Sequence, residues 1–280
     1  MRITIVTPSL NQAAFIEEAL WSVKNLNYPA LEHIVVDGAS TDDTLGILKN
    51  NTDSPGWEHL RWVSEPDNGQ SDALNKGFRK ATGDIVGWLN SDDRYRPGCF
   101  AAVVEAFQND PEVDVLYGDY TWISENGRVW QIRREIEFSR FVLQYHRVLY
   151  IPATATFFRR RIFDEGNFID TQFNYAMDYE FFLRLARKGY LFKHIPHLLA
   201  DFRWHPQSKT GSAASKQLQE HDRIAQMYSP LLNWVPDGLA RKLIFRCLRL
   251  AAAGARYTEK MARGYYFQQF RPTSLRNADG

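Results

Sequence analysis

The apolar residues of the first hundred positions fall into short continuous runs and into runs with helical spacing. Continuous β-branched or apolar runs favour strands, and apolar residues spaced three or four apart favour helices. The predicted strands cover residues 2–7, 31–36, 60–63 and 85–89, and the predicted helices cover 15–23, a segment starting at 41–43, 72–81 and 97–107. This alternation predicts a largely parallel sheet with right-handed crossovers.

After residue 110 the pattern changes. Strands at 113–117 and 129–132 would form a hairpin around Asn126-Gly127, a dipeptide that favours tight turns. Further predicted elements are a strand at 153–158, a helix at 176–188 ended by Gly189, a strand at 191–195 stopped by Pro196, a mobile Gly- and Ser-rich loop at 207–215, and helices from Ala213 onward. We therefore expect a catalytic domain at 1–212, made of halves 1–110 and 111–212, and a helical extension at 213–280.

Clusters of polar residues follow four of the predicted strands, at 8–12, 37–43, 65–72 and 90–93. Ligands of sheets of this kind bind beyond the carboxyl ends of the strands. We therefore expect these clusters to line one binding crevice.

The strongest local signal is the pair Asp92-Asp93, which directly follows the apolar strand 85–89. Two adjacent carboxylates repel each other unless something compensates their charge. Mg²⁺ or Mn²⁺ would do so, because these cations take oxygen ligands and bridge to phosphates. A turn or a helix cap would also use Asp here, so both interpretations stay open.

Two other clusters have less specific patterns. Asp37 leaves a strand just before Gly38, where it could accept a hydrogen bond from a base or a ribose hydroxyl, or simply cap a turn. Residues 65–77, which include Asp72, place amides and hydroxyls before a helix start, where anions bind. This segment matches neither GxxxxGK[ST] nor GxGxxG, so it is not a known phosphate loop of either type.

The second half offers two candidates. Asp178 opens an otherwise apolar helix, where it is either a general base towards a hydroxyl or a plain cap. His205 is either a metal ligand or a surface histidine. Glu180 and Arg184 are four residues apart, which predicts a structural ion pair.

Six segments, taken in order, resemble the family 2 glycosyltransferases of the GT-A fold, over residues 2–210. They are TPSLNQ (7–12), VVDGASTDDT (35–44), DNGQSDALNKG (67–77), GDIVGWLNSDD (83–93), MDYEFFLRLARKGY (177–190) and FRWHPQSKT (202–210). The resemblance implies a mixed, mainly parallel α/β sheet flanked by helices. It also implies inverting transfer of a sugar from a nucleotide diphosphate sugar to a hydroxyl of a glycan or lipid-linked glycan, in cell-surface polysaccharide or glycolipid synthesis.

The resemblance also assigns roles to residues of this sequence. It implies that Thr7, Pro8 and Ser9 lie along the nucleoside, that Asp37 contacts the base, and that Asp72 and Asp92 also bind the donor. It further implies that Asp93 is the direct ligand of Mn²⁺ or Mg²⁺ and that His205 completes the metal site. Asp178 would be the catalytic base. Two positions depart from the family pattern. Asn90 stands where a further acid is usual, and Met177 stands where Glu usually precedes the base.

The composition narrows the alternatives. Among 280 residues, 34 are Lys or Arg and 33 are Asp or Glu, and this balance argues against a nucleic-acid partner. Cys99 and Cys247 lie far apart, which supports neither a zinc site nor a disulfide framework and favours a cytoplasmic compartment. The first residues do not resemble a signal peptide, and no run approaches the roughly 20 apolar residues that cross a bilayer.

Residues 239–271 contain eight Lys and Arg against one acid, Glu259, with Leu and Ile between them. A basic helix with an apolar face can bind an anionic membrane peripherally, here on the inner face. The alternative is a helix packed on the catalytic domain. Two other functions remain open: a sugar-phosphate nucleotidyltransferase, which would want a basic Gly-rich loop that TPSLNQ lacks, and a non-catalytic sugar-binding protein.

Overall fold

A computed structural model of the chain describes residues 1–146, 148–206, 208, 214–229 and 234–268. The strands in these ranges are β1 (Ile3–Ser9), β2 (Leu31–Asp37), β3 (Leu60–Ser64), β4 (Ile85–Trp88), β5 (Arg94–Tyr95), β6 (Val115–Ile123), β7 (Val129–Arg133), β8 (Thr156–Arg159) and β9 (Phe192–Arg203). The helices are α1 (Ile16–Lys24), α2 (Thr44–Thr52), α3 (Gln70–Lys80), α4 (Cys99–Asn109), α5 (Arg140–Tyr145), α6 (Arg161–Asp164), α7 (Met177–Lys188), α8 (Ala214–Met227), α9 (Leu239–Ala262) and α10 (Tyr265–Gln268).

The strands form one mixed sheet in the order β3-β2-β1-β4-β8-β6-β9-β5, with β7 beside β6. Strands β1 to β4 are parallel, as the strand–helix alternation predicts. Strand β8 runs antiparallel to both β4 and β6, and β9 runs parallel to β6. The predicted α/β class, with helices on the sheet and helices at the C-terminal end, is confirmed.

The two faces of the sheet carry separate clusters of apolar side chains. On one face Ile3 and Ile5 of β1 pack with residues of α1 and α4, including Phe100. On the other face Val6 packs in a cluster that includes residues of α3 and α7. Helix α3 lies very close to β1, because a Cβ atom at Gly77 would stand only 2.2 Å from Cγ1 of Val6. This glycine therefore fixes how deeply α3 seats on the sheet.

Strand β9 corrects the prediction that Pro196 ends a strand. It runs through this proline to Arg203, because its register against β6 shifts there. Ile195 pairs with Gly118 and Leu198 with the next residue of β6, so Pro196 lies in a bulge where its missing N–H costs no ladder bond. The longer strand carries the chain to the carboxyl edge of the sheet, just before His205.

One strand is shorter than predicted, and the loop predicted at 207–215 is described only in part. Residues 153–155 form a 3₁₀ turn, and the strand predicted at 153–158 begins only at Thr156. The predicted mobile loop at 207–215 lies mostly outside the described residues; of its members, Ser208 is buried and residues 214–215 already belong to α8. The division into 1–212, with its two halves, and 213–280 stays a prediction.

Candidate active site

The carboxyl ends of β1, β2 and β3 bring three polar side chains into one row. Ser9 pairs with Asp37, and Asp37 pairs with Ser64 in the sheet register. The fully buried carboxylate of Asp37 accepts hydrogen bonds from the backbone N–H of Ser40 at 2.8 Å, from its hydroxyl at 2.5 Å and from the hydroxyl of Ser64 at 2.8 Å. These donors fix the orientation of Asp37 at the edge where a nucleoside is expected.

The three residues of β1 predicted to contact the nucleoside differ in the hydrogen-bonding groups that they can present to a ligand. The Thr7 hydroxyl is fully buried and lies 2.9 Å from Nε2 of His33. Burial, followed by the nearby His59, lowers the pKa of His33 to about 3, so this imidazole is neutral. Pro8 is buried, whereas the buried hydroxyl of Ser9 has no hydrogen-bond partner among the described residues. Ser9 therefore has the side-chain group best suited to meet a ligand.

The loops that follow these strands are bound to one another. The backbone N–H of Asn11 donates to the hydroxyl of Ser40 at 2.7 Å, and the side-chain oxygen of Asn11 accepts from the N–H of Thr41 at 2.8 Å. Asp67, after β3, closes on the turn after β2, because a Cβ atom at Gly38 would meet its Oδ2 at 2.5 Å. The edge is thus one connected surface, as the positions of the polar clusters predict.

Asp92 and His205 meet at this edge. Oδ2 of Asp92 lies 3.1 Å from Nε2 of His205, although the two residues are 113 positions apart. The Asp92 side chain is 21% exposed, and the His205 ring, 5% exposed, lies against Phe15 with ring centroids 4.9 Å apart. A carboxylate oxygen and an imidazole nitrogen facing one point can both ligate a divalent cation. Within the described ranges no group of three or more acidic, His or Cys side chains could do so alone.

Asp93, predicted as the direct metal ligand, is placed differently. It is 2% exposed and accepts from the Thr154 hydroxyl, from the Asn90 amide at 2.9 Å and from the backbone N–H of Arg203 at 2.8 Å. Burial, followed by the adjacent charge of Asp92, raises the pKa of Asp93 to about 8. The structure therefore brings Asp92, and not Asp93, to the imidazole, because donors distant in sequence turn Asp93 into the protein.

Arg203, the last residue of β9, holds this part of the site together. Its guanidinium is 2% exposed and donates to the backbone carbonyls of Asp92 at 2.7 Å, Glu125 at 2.7 Å and Ser124 at 3.2 Å, and it is ion-paired with Glu18 of α1. No local sequence pattern predicts that Arg203 and Glu18 form an ion pair, because they are 185 positions apart. A buried Arg with several acceptors indicates a residue that fixes loops in place.

A chain of contacts links the helix that carries Asp178 to the same edge. The Ser71 hydroxyl, in the first turn of α3, lies 2.8 Å from Sδ of Met177, in the first turn of α7. The side-chain amide of Gln70, the residue before Ser71, donates to Oδ1 of Asn90 at 2.8 Å. Asn90 lies just after the end of β4. Asp178 is partly exposed and follows Met177 directly. The start of α7 is thus joined through α3 to the loop that carries the acidic pair.

Two other acidic residues, Asp72 and Glu180, form local contacts that stabilise the helices to which they belong. Asp72 accepts from the backbone N–H of Asn68 at 3.1 Å and lies 3.5 Å from Lys76, so its side chain organises the start of α3. Its role in donor binding stays a prediction. Glu180 and Arg184 form the predicted ion pair at 2.8 Å.

The chain shows clear similarity to known proteins. The family model described as glycosyl transferase family 2 matches residues 4–166. A protein of Mycobacterium tuberculosis described as an uncharacterized glycosyltransferase is 34% identical over 187 residues, which cover 66% of this chain and 68% of the relative. A PGL/p-HBAD biosynthesis glycosyltransferase of Mycobacterium bovis is 29% identical over 197 residues, covering 70% of this chain and 74% of its own.

Solved structures share the architecture. TarS 1–349 of S. aureus, in complex with UDP-GlcNAc, superposes with a TM-score of 0.66 at 18% identity and covers 99% of this chain and 77% of its own. The mannosyltransferase PcManGT of Pyrobaculum calidifontis, in complex with GDP-Man and Mn²⁺, gives 0.63 at 20% identity, covering 97% and 81%. At this identity these likenesses show the fold alone, which is of GT-A type. By its family match and its relatives, this chain belongs to glycosyl transferase family 2 and is a glycosyltransferase.

Proposed function

We propose that the enzyme transfers a sugar from a nucleotide diphosphate sugar to a hydroxyl acceptor with inversion at the anomeric carbon. The observation that carries this proposal is the meeting of Asp92 and His205 at 3.1 Å on an edge that also receives Asp37 and the helix of Asp178. The complexes of TarS with UDP-GlcNAc and of PcManGT with GDP-Man and Mn²⁺ support it by analogy of fold.

Each residue then has a defined task. Asp178 accepts the proton of the acceptor hydroxyl, because a neutral hydroxyl is a poor nucleophile. The hydroxyl oxygen forms a bond to the anomeric carbon while the bond from that carbon to the diphosphate oxygen breaks, and the electron pair leaves with the nucleoside diphosphate. A single displacement of this kind inverts the carbon. Ser9 and Asp37 hold the nucleoside at the ends of β1 and β2.

The donor set at the edge fits a divalent cation, Mn²⁺ or Mg²⁺. Asp92 and His205 would hold it, and the remaining positions would be left for diphosphate oxygens and water. When bound, the cation offsets the charge that develops on the leaving diphosphate. The raised pKa of Asp93, caused by burial and then by the charge of Asp92, agrees with a site where negative charge lacks compensation.

The test begins with a thermal-shift screen of UDP-, GDP- and dTDP-sugars with Mn²⁺, since a bound donor stabilises the native state. Transfer, or slow hydrolysis to the nucleoside diphosphate, is then measured for the wild type and for Asp178→Asn. We expect Asp178→Asn to lower turnover by on the order of 10²–10⁴ with donor binding kept. Asp53→Asn, at an exposed position on the far side of α2, is the control. Near-normal turnover of Asp178→Asn would remove the base, and sugar-phosphate plus nucleoside triphosphate as substrates would favour a nucleotidyltransferase.

We also propose that the acceptor is a glycan or lipid-linked glycan and that α9 rests on the anionic inner surface of a membrane. Part of α9 packs on the catalytic domain, since Phe245 is buried and both Arg256 and Lys260 pair with buried Glu135, at 2.7 and 2.9 Å. Another face of the helix stays exposed and apolar: Leu239 (75%), Leu243 (52%), Leu250 (66%), Tyr257 (54%) and Met261 (60%). None of the described helices is long and apolar enough to span a bilayer.

Cations flank this exposed apolar face. Lys242 and Arg246 are exposed and have no acidic partner among the described residues. With Arg241 and Arg249 they line part of a cavity of about 1030 Å³ along α9, which His146, Val148 and Gln226 also border. We expect flotation with phosphatidylglycerol-containing vesicles but not with phosphatidylcholine alone, and loss of binding in Lys242→Glu/Arg246→Glu. Equal behaviour of this variant and a Lys49→Glu/Lys80→Glu control on the catalytic domain would contradict membrane attachment.

A further inference from the structure

Helix α8 supplies a carboxylate to the start of the helix that carries the proposed base. Glu220 accepts hydrogen bonds from three consecutive backbone N–H groups, those of Asn174 at 3.2 Å, Tyr175 at 2.7 Å and Ala176 at 2.9 Å. The N-cap residue of α7 is Ala176, whose methyl side chain cannot accept a hydrogen bond. Glu220 therefore binds the N–H of the N-cap residue and the two N–H groups before it, from a helix 44 positions further along the chain.

This contact has three physical consequences. It provides an acceptor for backbone donors just before the first turn of α7, and it places a negative charge at the positive end of the α7 dipole. It also binds the three residues that lead into α7 to one point, which sets the direction in which the first turn begins. Asp178 lies in that first turn, two residues after Ala176. Its carboxylate accepts from the backbone N–H of Tyr179 in the same turn at 2.8 Å. The direction of the carboxylate therefore follows the direction of this turn, at whose start Glu220 binds the backbone.

Helix α8 is held firmly enough to act as such a support. The ring of His221 stacks on Tyr179 with centroids 3.9 Å apart and planes 11° from parallel. The hydroxyl of Tyr179 donates to the carbonyl of Gln144 at 2.9 Å, and the Gln144 amide donates to the carbonyl of Ala225 at 2.7 Å. Burial, followed by the charges of Arg249 and His146, lowers the pKa of His221 to about 3, so the stacked imidazole stays neutral.

The position of α8 in the chain adds to this argument. The helix begins at Ala214, nine residues after His205, which lies beside Asp92. Glu220, which binds the backbone before α7, is thus 15 positions from His205 in sequence. We propose that Glu220 is a positioning residue for Asp178, and that through it the C-terminal helices form part of the catalytic apparatus. This inference rests on the proposed function.

The test compares Glu220→Ala, Glu220→Gln and Gln219→Ala, an exposed neighbour on the same helix, in the full-length enzyme. We expect Glu220→Ala to lower kcat by about 10- to 100-fold, because small displacements of a catalytic group cost this much. The KM for the nucleotide sugar and the Mn²⁺ requirement should stay within about twofold, since the residues proposed to hold the donor and the cation lie outside α8. Glu220→Gln should recover part of the activity, because its amide oxygen can still accept from Tyr175 and Ala176 while its NH2 group replaces the acceptor of Asn174. Hydrogen exchange at residues 174–176 should quicken in Glu220→Ala alone.

A double-mutant cycle with Asp178→Asn separates positioning from general destabilisation. If Glu220 acts through Asp178, Glu220→Ala should have no further effect on the residual activity of Asp178→Asn. Independent, multiplying losses, or a parallel rise in the KM for the donor, would overturn the inference, and so would unchanged kcat in Glu220→Ala. If Glu220→Ala does not fold, the same comparisons are made with Glu220→Gln and Glu220→Asp. A failed proposed function has a different signature, since Asp178→Asn itself would then remain active.

Discussion

Replacing Arg203 should weaken both the fold and the proposed metal site. The guanidinium is buried at the end of β9, where it joins the carbonyl of Asp92, the turn at Ser124 and Glu125, and the carboxylate of Glu18. In Arg203→Met the side chain keeps much of its length but none of its donors. The carbonyls of Asp92 and Glu125 would then lose the guanidinium as donor, whereas Ser124 keeps the N–H of Gly127 and Glu18 keeps Arg94.

The size of the effect follows from these contacts. Removing one member of a buried ion pair costs about 3–5 kcal/mol, because the other charge is left without a partner. Glu18 is 40% exposed and keeps its ion pair with Arg94. The free-energy cost of leaving its carboxylate without Arg203 is therefore smaller than for a fully buried pair. The carbonyls lose charge-assisted hydrogen bonds, each of which contributes about 1–3 kcal/mol. We therefore expect a loss of about 3 kcal/mol in the free energy of unfolding, with Arg203→Lys between Arg203→Met and the wild type, because one ammonium cannot reach all these acceptors.

The functional consequence is separable from stability. Without Arg203 the backbone of Asp92 is no longer anchored, and the Mn²⁺ concentration that gives half-maximal activity should rise. Urea unfolding and a Mn²⁺ titration of turnover measure the two effects. Arg161→Met is a control for the loss of an Arg ion pair away from the site, because Arg161 is half-exposed, pairs with the buried Asp114 and lies near the opposite end of β4. A folded Arg203→Met enzyme with an unchanged Mn²⁺ requirement would refute the reasoning.

Three further outcomes test other parts of the structure. Asp93→Asn should lower the free energy of unfolding by about 1–3 kcal/mol in urea denaturation without metal above the Asp93 pKa of about 8, where the carboxylate is ionised and the amide replaces one acceptor by a donor facing donors. A stable variant with weakened Mn²⁺ binding would instead make Asp93 the ligand. His33 and His221 have pKa values of about 3 in the folded state, so the unfolded chain takes up protons first and stability is lost as pH falls from 6.5 towards 3. Between pH 7 and 5 each should cost about 2 kcal/mol in urea titrations, and a His33→Gln variant with the same pH slope would contradict this. Gly77→Ala should cost about 1–3 kcal/mol, measured by thermal unfolding, with recovery in the Val6→Ala background.

The first half of the fold was predictable because its signals are local. Each parallel strand is a short apolar run followed by a polar turn, and parallel strands place those turns on one edge. The positions of Asp37 and Asp92 follow from this rule alone. The course of β9 did not follow from local signals, because the stop predicted at Pro196 is overcome by a bulge that only the pairing with β6 creates.

The choice between Asp92 and Asp93 shows a second limit of the sequence. Adjacent residues at the end of a strand point in different directions, and nothing in the local pattern tells which one faces the crevice. The answer depends on Thr154 and Arg203, which supply donors to Asp93 from 61 and 110 positions away. Glu220 is hidden for the same reason, since its partners before α7 become neighbours only when α8 packs against that helix.

The family match and the catalytic geometry divide the chain differently. The match covers residues 4–166, which contain Asp37 and the acidic pair, whereas Asp178, His205 and Glu220 lie beyond it. The part that we propose to hold the nucleotide is therefore the part most easily detected by similarity. The proposed base and the proposed second metal ligand are placed by β9, α7 and α8, through contacts between residues far apart in sequence and not through a local motif. Since the acceptor must approach Asp178, differences in acceptor among relatives should be sought where α7 and α8 meet, and exchanging residues along that contact should alter acceptor use before it alters the nucleotide.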